Sequence, residues 1–190
     1  MATHTAPRIP PLEEPYEPDV AETLRRMMPP GIEPLKLFRT VALNPAILER
    51  LRTTGAYILN FGQVEPRDRE VVIHRTTARN GCEYEWGVHA VAYGRPLGFT
   101  DEQLRASVHG TADDPAWSHR DSLLVRLVDE LHDTGTVSAG LWDMLAAEWE
   151  APQLVELVAT VGFYHFVSFT ANALGVELEE YAERFPHLSR

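Results

Sequence analysis

Four residues within the stretch from Glu70 to His89 carry side chains suited to chemistry: Glu70, Cys82, Glu85 and His89. Cys82, Glu85 and His89 are spaced i, i+3 and i+7, so one helix would show them on one face. Asn80-Gly81 breaks the chain before them. If the two runs fold back on each other, Glu70 meets the stripe. Imidazole and carboxylates together suit general acid–base catalysis, because their pKa values can be tuned towards neutrality. Two nearby carboxylates should push one pKa upward. For Cys82, the single cysteine, a helix N-terminus favours thiolate character, while Glu70 and Glu85 nearby would raise its pKa. The plainer readings are a small buried hydrophobe for Cys82 and a core histidine bonded to Glu85 for His89.

The same residues offer mixed metal ligands. Di-iron bundles, however, show paired Glu-x-x-His at i, i+3, and that pattern is missing here. No metal or other cofactor is expected. His74, one turn after Glu70, is a further candidate for the site. Tyr164 and His165 are others, because their polar ends need partners when buried. His109, His119 and His132 read as surface or capping groups, and the four tryptophans as core.

The elements that must position these groups read as helices. Short helical candidates cover 19–28 and 35–43. Asn44-Pro45 starts a helix that runs to Gly62. Glu65-Pro66 opens the next, which carries Glu70 and ends at Asn80-Gly81. Its Val71-Val72-Ile73 run would suit a strand, but no second strand is evident to pair with it. A helix from Cys82 to Tyr93 closes at Gly94. Thr100 and Gln103 form a capping box. Asp114-Pro115 should start another helix, Ser138 cap one, and Leu178–Phe185 form a last one. The apolar run from Gln153 to Leu174 should be central or at a subunit contact. The fold class is all-α, a single-domain helical bundle at 19–190, after a proline-rich arm at 1–18 that is mobile or laid on a neighbouring subunit.

Apolar residues make up 44% and charged residues 24%, ordinary for a soluble domain. The net charge of −11 makes nucleic acid and anionic membranes poor partners. There is no hydrophobic signal core, and no stretch is expected to reach membrane-spanning length. The expected compartment is the cytoplasm.

The spacing of Glu70, Cys82 and His89, with R-D-R-E, C-E-Y-E-W-G-V-H-A and G-F-T-D-E-Q-L around it, resembles the carboxymuconolactone decarboxylase family. That family includes alkyl hydroperoxide reductase D-like (AhpD-like) proteins. The resemblance is strongest over about 45–110. It implies an all-helical homo-oligomer: a dimer, trimer or hexamer. In the peroxidase branch a C-x-x-C pair works with glutamate and histidine. By resemblance Glu70 matches the glutamate, Cys82 the first cysteine and His89 the distal histidine. Glu85 replaces the second cysteine, and Tyr84 stands where that branch has a histidine, which makes it a candidate substrate contact. Without a second thiol, the expected function is acid–base chemistry on a small organic acid, lactone or carbonyl compound: decarboxylation, isomerisation or ring opening and closing. The alternatives are a single-cysteine peroxidase and a non-catalytic binding protein.

Overall fold

The computed structural model describes residues 6–187. They form nine α-helices: α1 Pro18–Met27, α2 Lys36–Val41, α3 Pro45–Asn60, α4 Pro66–Arg79, α5 Glu83–His89, α6 Asp101–His109, α7 His119–Thr134, α8 Ala139–Glu148 and α9 Ala151–Leu174. A π-helical turn, Ala90–Gly94, follows α5 directly. No strand occurs among the described residues, so Val71-Val72-Ile73 is helical.

The centre of the molecule is α4, packed against α5, α6, α7 and α9. Asp68 to Thr77 are all buried. The apolar α9, expected to be central or at a subunit contact, packs against α4. α4 is rich in charge and is buried because its neighbours meet that charge. Arg67, Arg75 and Arg79 pair with Asp121, Asp129 and Asp133 of α7, at a constant separation of 54 residues. A constant offset means that α4 and α7 run parallel. The Arg75–Asp129 contact is bidentate, at 2.7 and 2.9 Å, the geometry that makes arginine–carboxylate pairs strong. Removing one partner of such a buried pair costs roughly 3–5 kcal/mol.

α9 buries one face only, through Leu154, Leu157, Val161, Tyr164, Val167 and Ala171. Val155 and Phe169 point outward at 71% and 59% exposure. Contrary to the sequence expectation, α9 is long and apolar enough to span a membrane by length and composition. Half of its most apolar window is nevertheless buried inside the protein, as in a core helix. Its Glu156 accepts from the backbone N–H groups of Gln63 and Val64.

Other local expectations are corrected. Asp114-Pro115 forms a turn, and α7 starts later, at the reciprocal Ser118–Asp121 capping box. Ser138 occupies the N-cap of α8, but its hydroxyl bonds to Glu130 at 2.9 Å instead of capping. Residues 178–185 are irregular around a turn at 180–182 rather than a helix, and their carboxylates serve as tethers. Glu179 accepts from Lys36 N at 2.7 Å, and Glu183 from Arg95 Nε at 2.8 Å. This segment crosses α5 so closely that a Cβ on Gly87 would lie 2.0 Å from the Glu183 carbonyl oxygen. Of the arm, residues 1–5 lie outside the described residues. The remainder rests on its own chain: Arg8 and Ile9 N–H groups reach the Leu174 carbonyl, and Leu12 N–H reaches that of Arg39.

Candidate functional site

The loop between α4 and α5 sets the site. Asn80 ends α4, and Gly81, at φ +60°, takes the left-handed conformation needed to reverse the chain. Cys82 is therefore the N-cap of α5, not a residue within it. The reversal lays α5 along α4 and brings His89 to Glu70, 19 residues away in sequence. The helix expected over 82–93 divides at Ala90, where the backbone widens into i→i+5 bonding, Arg95 N–H to the Ala90 carbonyl. Such π turns often occur at functional sites.

His89 lies between two carboxylates. Its Nδ1 is 2.8 Å from Glu70 Oε2, and its Nε2 is 3.3 Å from Glu85 Oε1. Nε2 is also 3.2 Å from the Tyr164 hydroxyl on α9. Tyr93, from the π turn, stacks on the imidazole at 5.0 Å, while Tyr164 meets it edge-on. Glu70 is fully buried, and its other oxygen accepts from Arg69 Nε at 3.3 Å.

Burial opposes a charge on His89, but Glu70 and Glu85 outweigh it and raise its pKa to about 9. Burial likewise opposes charge on Glu70. His89, by charge and by hydrogen bond, and the Arg69 guanidinium reverse the balance, so its pKa falls below the usual carboxylate value. The expected upward push between two carboxylates does not govern Glu70, because a cation sits between them.

Cys82 is fully buried, and no hydrogen bond joins it to Glu70 or His89 among the described residues. Burial pushes its thiol up to about 12, despite donation from the α5 backbone. Of the two readings of Cys82, desolvation favours the small buried hydrophobe over the thiolate at a helix N-terminus.

Of the remaining candidates, Tyr164 joins the site and the others are spread around it. His74 lies beneath Glu70: its Nδ1 donates to the Glu70 carbonyl at 2.7 Å, and Nδ1 stands 3.9 Å from Oε2. Its Nε2 is buried without a partner and faces Gly94, where a Cβ would approach within 3.1 Å. Tyr84 donates to Glu179 at 2.6 Å and accepts from Leu37 N–H, so it anchors the C-terminal segment. His165 turns away towards His132, 3.0 Å off, beside an open concavity of about 530 Å³ with Phe166 and Phe169. Among the described residues, no three His, Cys, Asp or Glu side chains are arranged to hold a metal ion.

Sequence reasoning missed Arg69 and Tyr93. Tyr93 was findable, since it lies one turn beyond His89 at i+4. Arg69 was masked by its place in a run of charges that reads as a solvated face.

Residues 45–124 match the model of the carboxymuconolactone decarboxylase family. No curated protein matches the chain. Among solved structures, the chain is similar to an uncharacterized peroxidase-related protein from Silicibacter sp., at TM-score 0.78 and 15% identity, covering 96% of this chain and 99% of that one. It is similar to the alkylhydroperoxidase AhpD core of a peroxidase-related protein from Ralstonia eutropha, at 0.72 and 13%, covering 93% and 95%. It is also similar to the debrominase Bmp8, at 0.72 and 13%, covering 91% and 92%. A cysteine-to-alanine variant of Bmp8 forms a complex with 2,3,4-tribromopyrrole. Identities this low carry the fold alone. The match to the carboxymuconolactone decarboxylase family thus covers residues 45–124, and the helical framework has the AhpD-like fold.

Proposed function

We propose that the chain is an enzyme of proton transfer, acting on a small organic acid, lactone or carbonyl compound through His89. One observation carries this reading: a buried imidazole set between two carboxylates, with its Nε2 end shared by Glu85 and Tyr164. Glu70, fully enclosed, holds Nδ1–H and stabilises the imidazolium, so it is the positioning partner. Glu85 is the more open carboxylate, its side chain 10% exposed, and serves as the base or as the route by which protons return. When the substrate loses CO₂ or an α-proton, an electron pair is left on carbon beside a carbonyl. The Nε2–H proton closes that carbon or its enolate oxygen, and Glu85 returns a proton from solvent to the imidazole.

A thiol reading, suggested by the peroxidase-related and debrominase structures of the same fold, requires a thiolate at Cys82. Burial holds that thiol protonated, and the chain has no second cysteine to resolve an oxidised one. The test is a panel of small keto acids and lactone acids incubated in deuterated water, followed by proton NMR. Deuterium uptake or decarboxylation should fall roughly 100-fold or more in His89→Ala and persist in Cys82→Ser. Reductant-dependent peroxide turnover that is lost only in Cys82→Ser would overturn the proposal.

A further inference from the structure

Two arginines of α4 are buried close together in sequence, and they are satisfied very differently. Arg75 uses its whole guanidinium: Nε and Nη2 on Asp129, Nη1 on the carbonyls of Ser107 and Gly110. Arg69, 6% exposed, donates Nε–H to Glu70 at 3.3 Å. Its Nη1 donates to the Leu59 carbonyl at 3.0 Å and to that of Ile58 at 3.4 Å. These are carbonyls of the last turn of α3, which lack helical donors. Nη2 has no acceptor among the described residues. It is also absent from the sealed, unpartnered polar atoms, which are Arg39 Nε, His74 Nε2, Thr76 Oγ1, Trp117 Nε1 and Ser168 Oγ. Arg69 Nη2 therefore keeps contact with solvent at the edge of an otherwise buried cation.

Its position is informative. The Arg69 guanidinium carbon lies 5.9 Å from the Tyr93 ring centroid, and Tyr93 is stacked on His89. Tyr93 is half-buried. Arg69, Tyr93 and His89 thus lie side by side, with the half-buried Tyr93 between two buried groups. A cation with an idle donor in a largely desolvated setting favours an anion, because a charge-assisted hydrogen bond there is stronger than one to water.

We propose that Arg69 is the specificity residue of the site and binds a carboxylate of the substrate through Nη2. The substrate is then an anionic acid, with its carboxylate on Arg69 and the carbon that gains or loses a proton across Tyr93 at His89. A carboxylate is better matched than a neutral carbonyl, since His89 already engages Glu70 and leaves Arg69 as the cation with donors to spare. Recognition of the anion is separable from proton transfer. Arg69 sets which molecules bind, and the His89 pair sets what happens to them. This inference rests on the proton-transfer reading for its choice of ligands, but its test reads binding.

The probes are levulinate and paraconate, each beside its own methyl ester, titrated into the full chain by calorimetry. The acids should bind roughly ten-fold or more tightly than the esters, the scale of one hydrogen bond to a charged group, and Arg69→Met should remove the difference. Arg69 also ties α4 to α3, so the variant could fail to fold. A second measurement therefore uses the wild type: the Arg69 guanidinium nitrogen-15 resonances should shift on adding either acid and stay put with the esters. Equal binding of acids and esters, an acid preference that survives Arg69→Met, or no binding of either acid would each overturn the assignment. Turnover of neutral carbonyl compounds without acid preference would sink the Arg69 role and leave proton transfer standing. Acid preference without turnover of any bound acid would do the reverse.

Discussion

Glu70 has a histidine on each side, and the two regions behave in opposite ways. His89 and His74 are both almost wholly buried, and their rings lie 6.5 Å apart. His89 meets the Glu70 carboxylate directly, gains Glu85 on its other nitrogen, and has its pKa raised to about 9. His74 is given the Glu70 backbone carbonyl instead, stacks on Phe99 and has an unpartnered Nε2. Burial lowers its pKa, and the Glu70 charge at longer range does not compensate. Burial alone turns a histidine neutral, and a hydrogen-bonded carboxylate reverses the sign. One acid thus keeps a charged imidazole and a neutral one within the same core.

Breaking the comparison at Glu70 should have the largest effect. Glu70→Gln keeps the shape and removes the charge, so proton-transfer turnover should fall roughly 100-fold or more. In the same variant the His89 pKa should drop below its wild-type value of about 9, measurable by NMR titration. A variant with near-normal turnover would show that Glu70 is only structural.

The pH dependence of stability comes next. His89 has a folded pKa of about 9 against a reference of 6.5, so folding favours its protonated form. Its contribution is fully present below the reference value and is lost as pH rises through the folded one. The full span corresponds to about 3 kcal/mol. Urea midpoints should therefore fall across that alkaline window, and the decline should flatten in His89→Gln. His74 acts with the opposite sign: its lowered pKa costs stability as pH falls below 6.5. A midpoint that rises between the two His89 values would contradict the assignment.

The smallest effect belongs to His74. His74→Leu loses one bond to the Glu70 carbonyl but also removes the unpartnered Nε2. The two should nearly cancel, changing stability by within about 1 kcal/mol, with turnover kept within a few-fold. A loss as large as that of Glu70→Gln would place His74 in the working set.

The contrast also shows what the sequence could disclose. Period, N-caps and glycine stops mark most helices, because those signals are local. The spacing of Glu85 and His89 gives their contact for the same reason. That Glu70 would reach the other ring nitrogen depended on the α4–α5 reversal, which Asn80-Gly81 announced. The centrality of α4 was not legible, since its charges look solvated until Asp121, Asp129 and Asp133 are seen across from them. Residues 178–185 misled in the opposite way. Their apolar spacing suits a helix, but Glu179 and Glu183 bind groups far away in sequence. Cys82 shows a local rule losing to a tertiary one, as the helix N-terminus lowers a thiol pKa and complete burial raises it further.

The most direct measurement is a nitrogen-15 NMR titration of both imidazoles in the wild-type protein. His89 should remain an imidazolium at neutral pH and lose its proton near pH 9, while His74 is a neutral Nδ1–H tautomer at neutral pH and above. A His89 that is neutral at pH 7, or that titrates together with His74, would contradict the charged carboxylate–imidazole–carboxylate site.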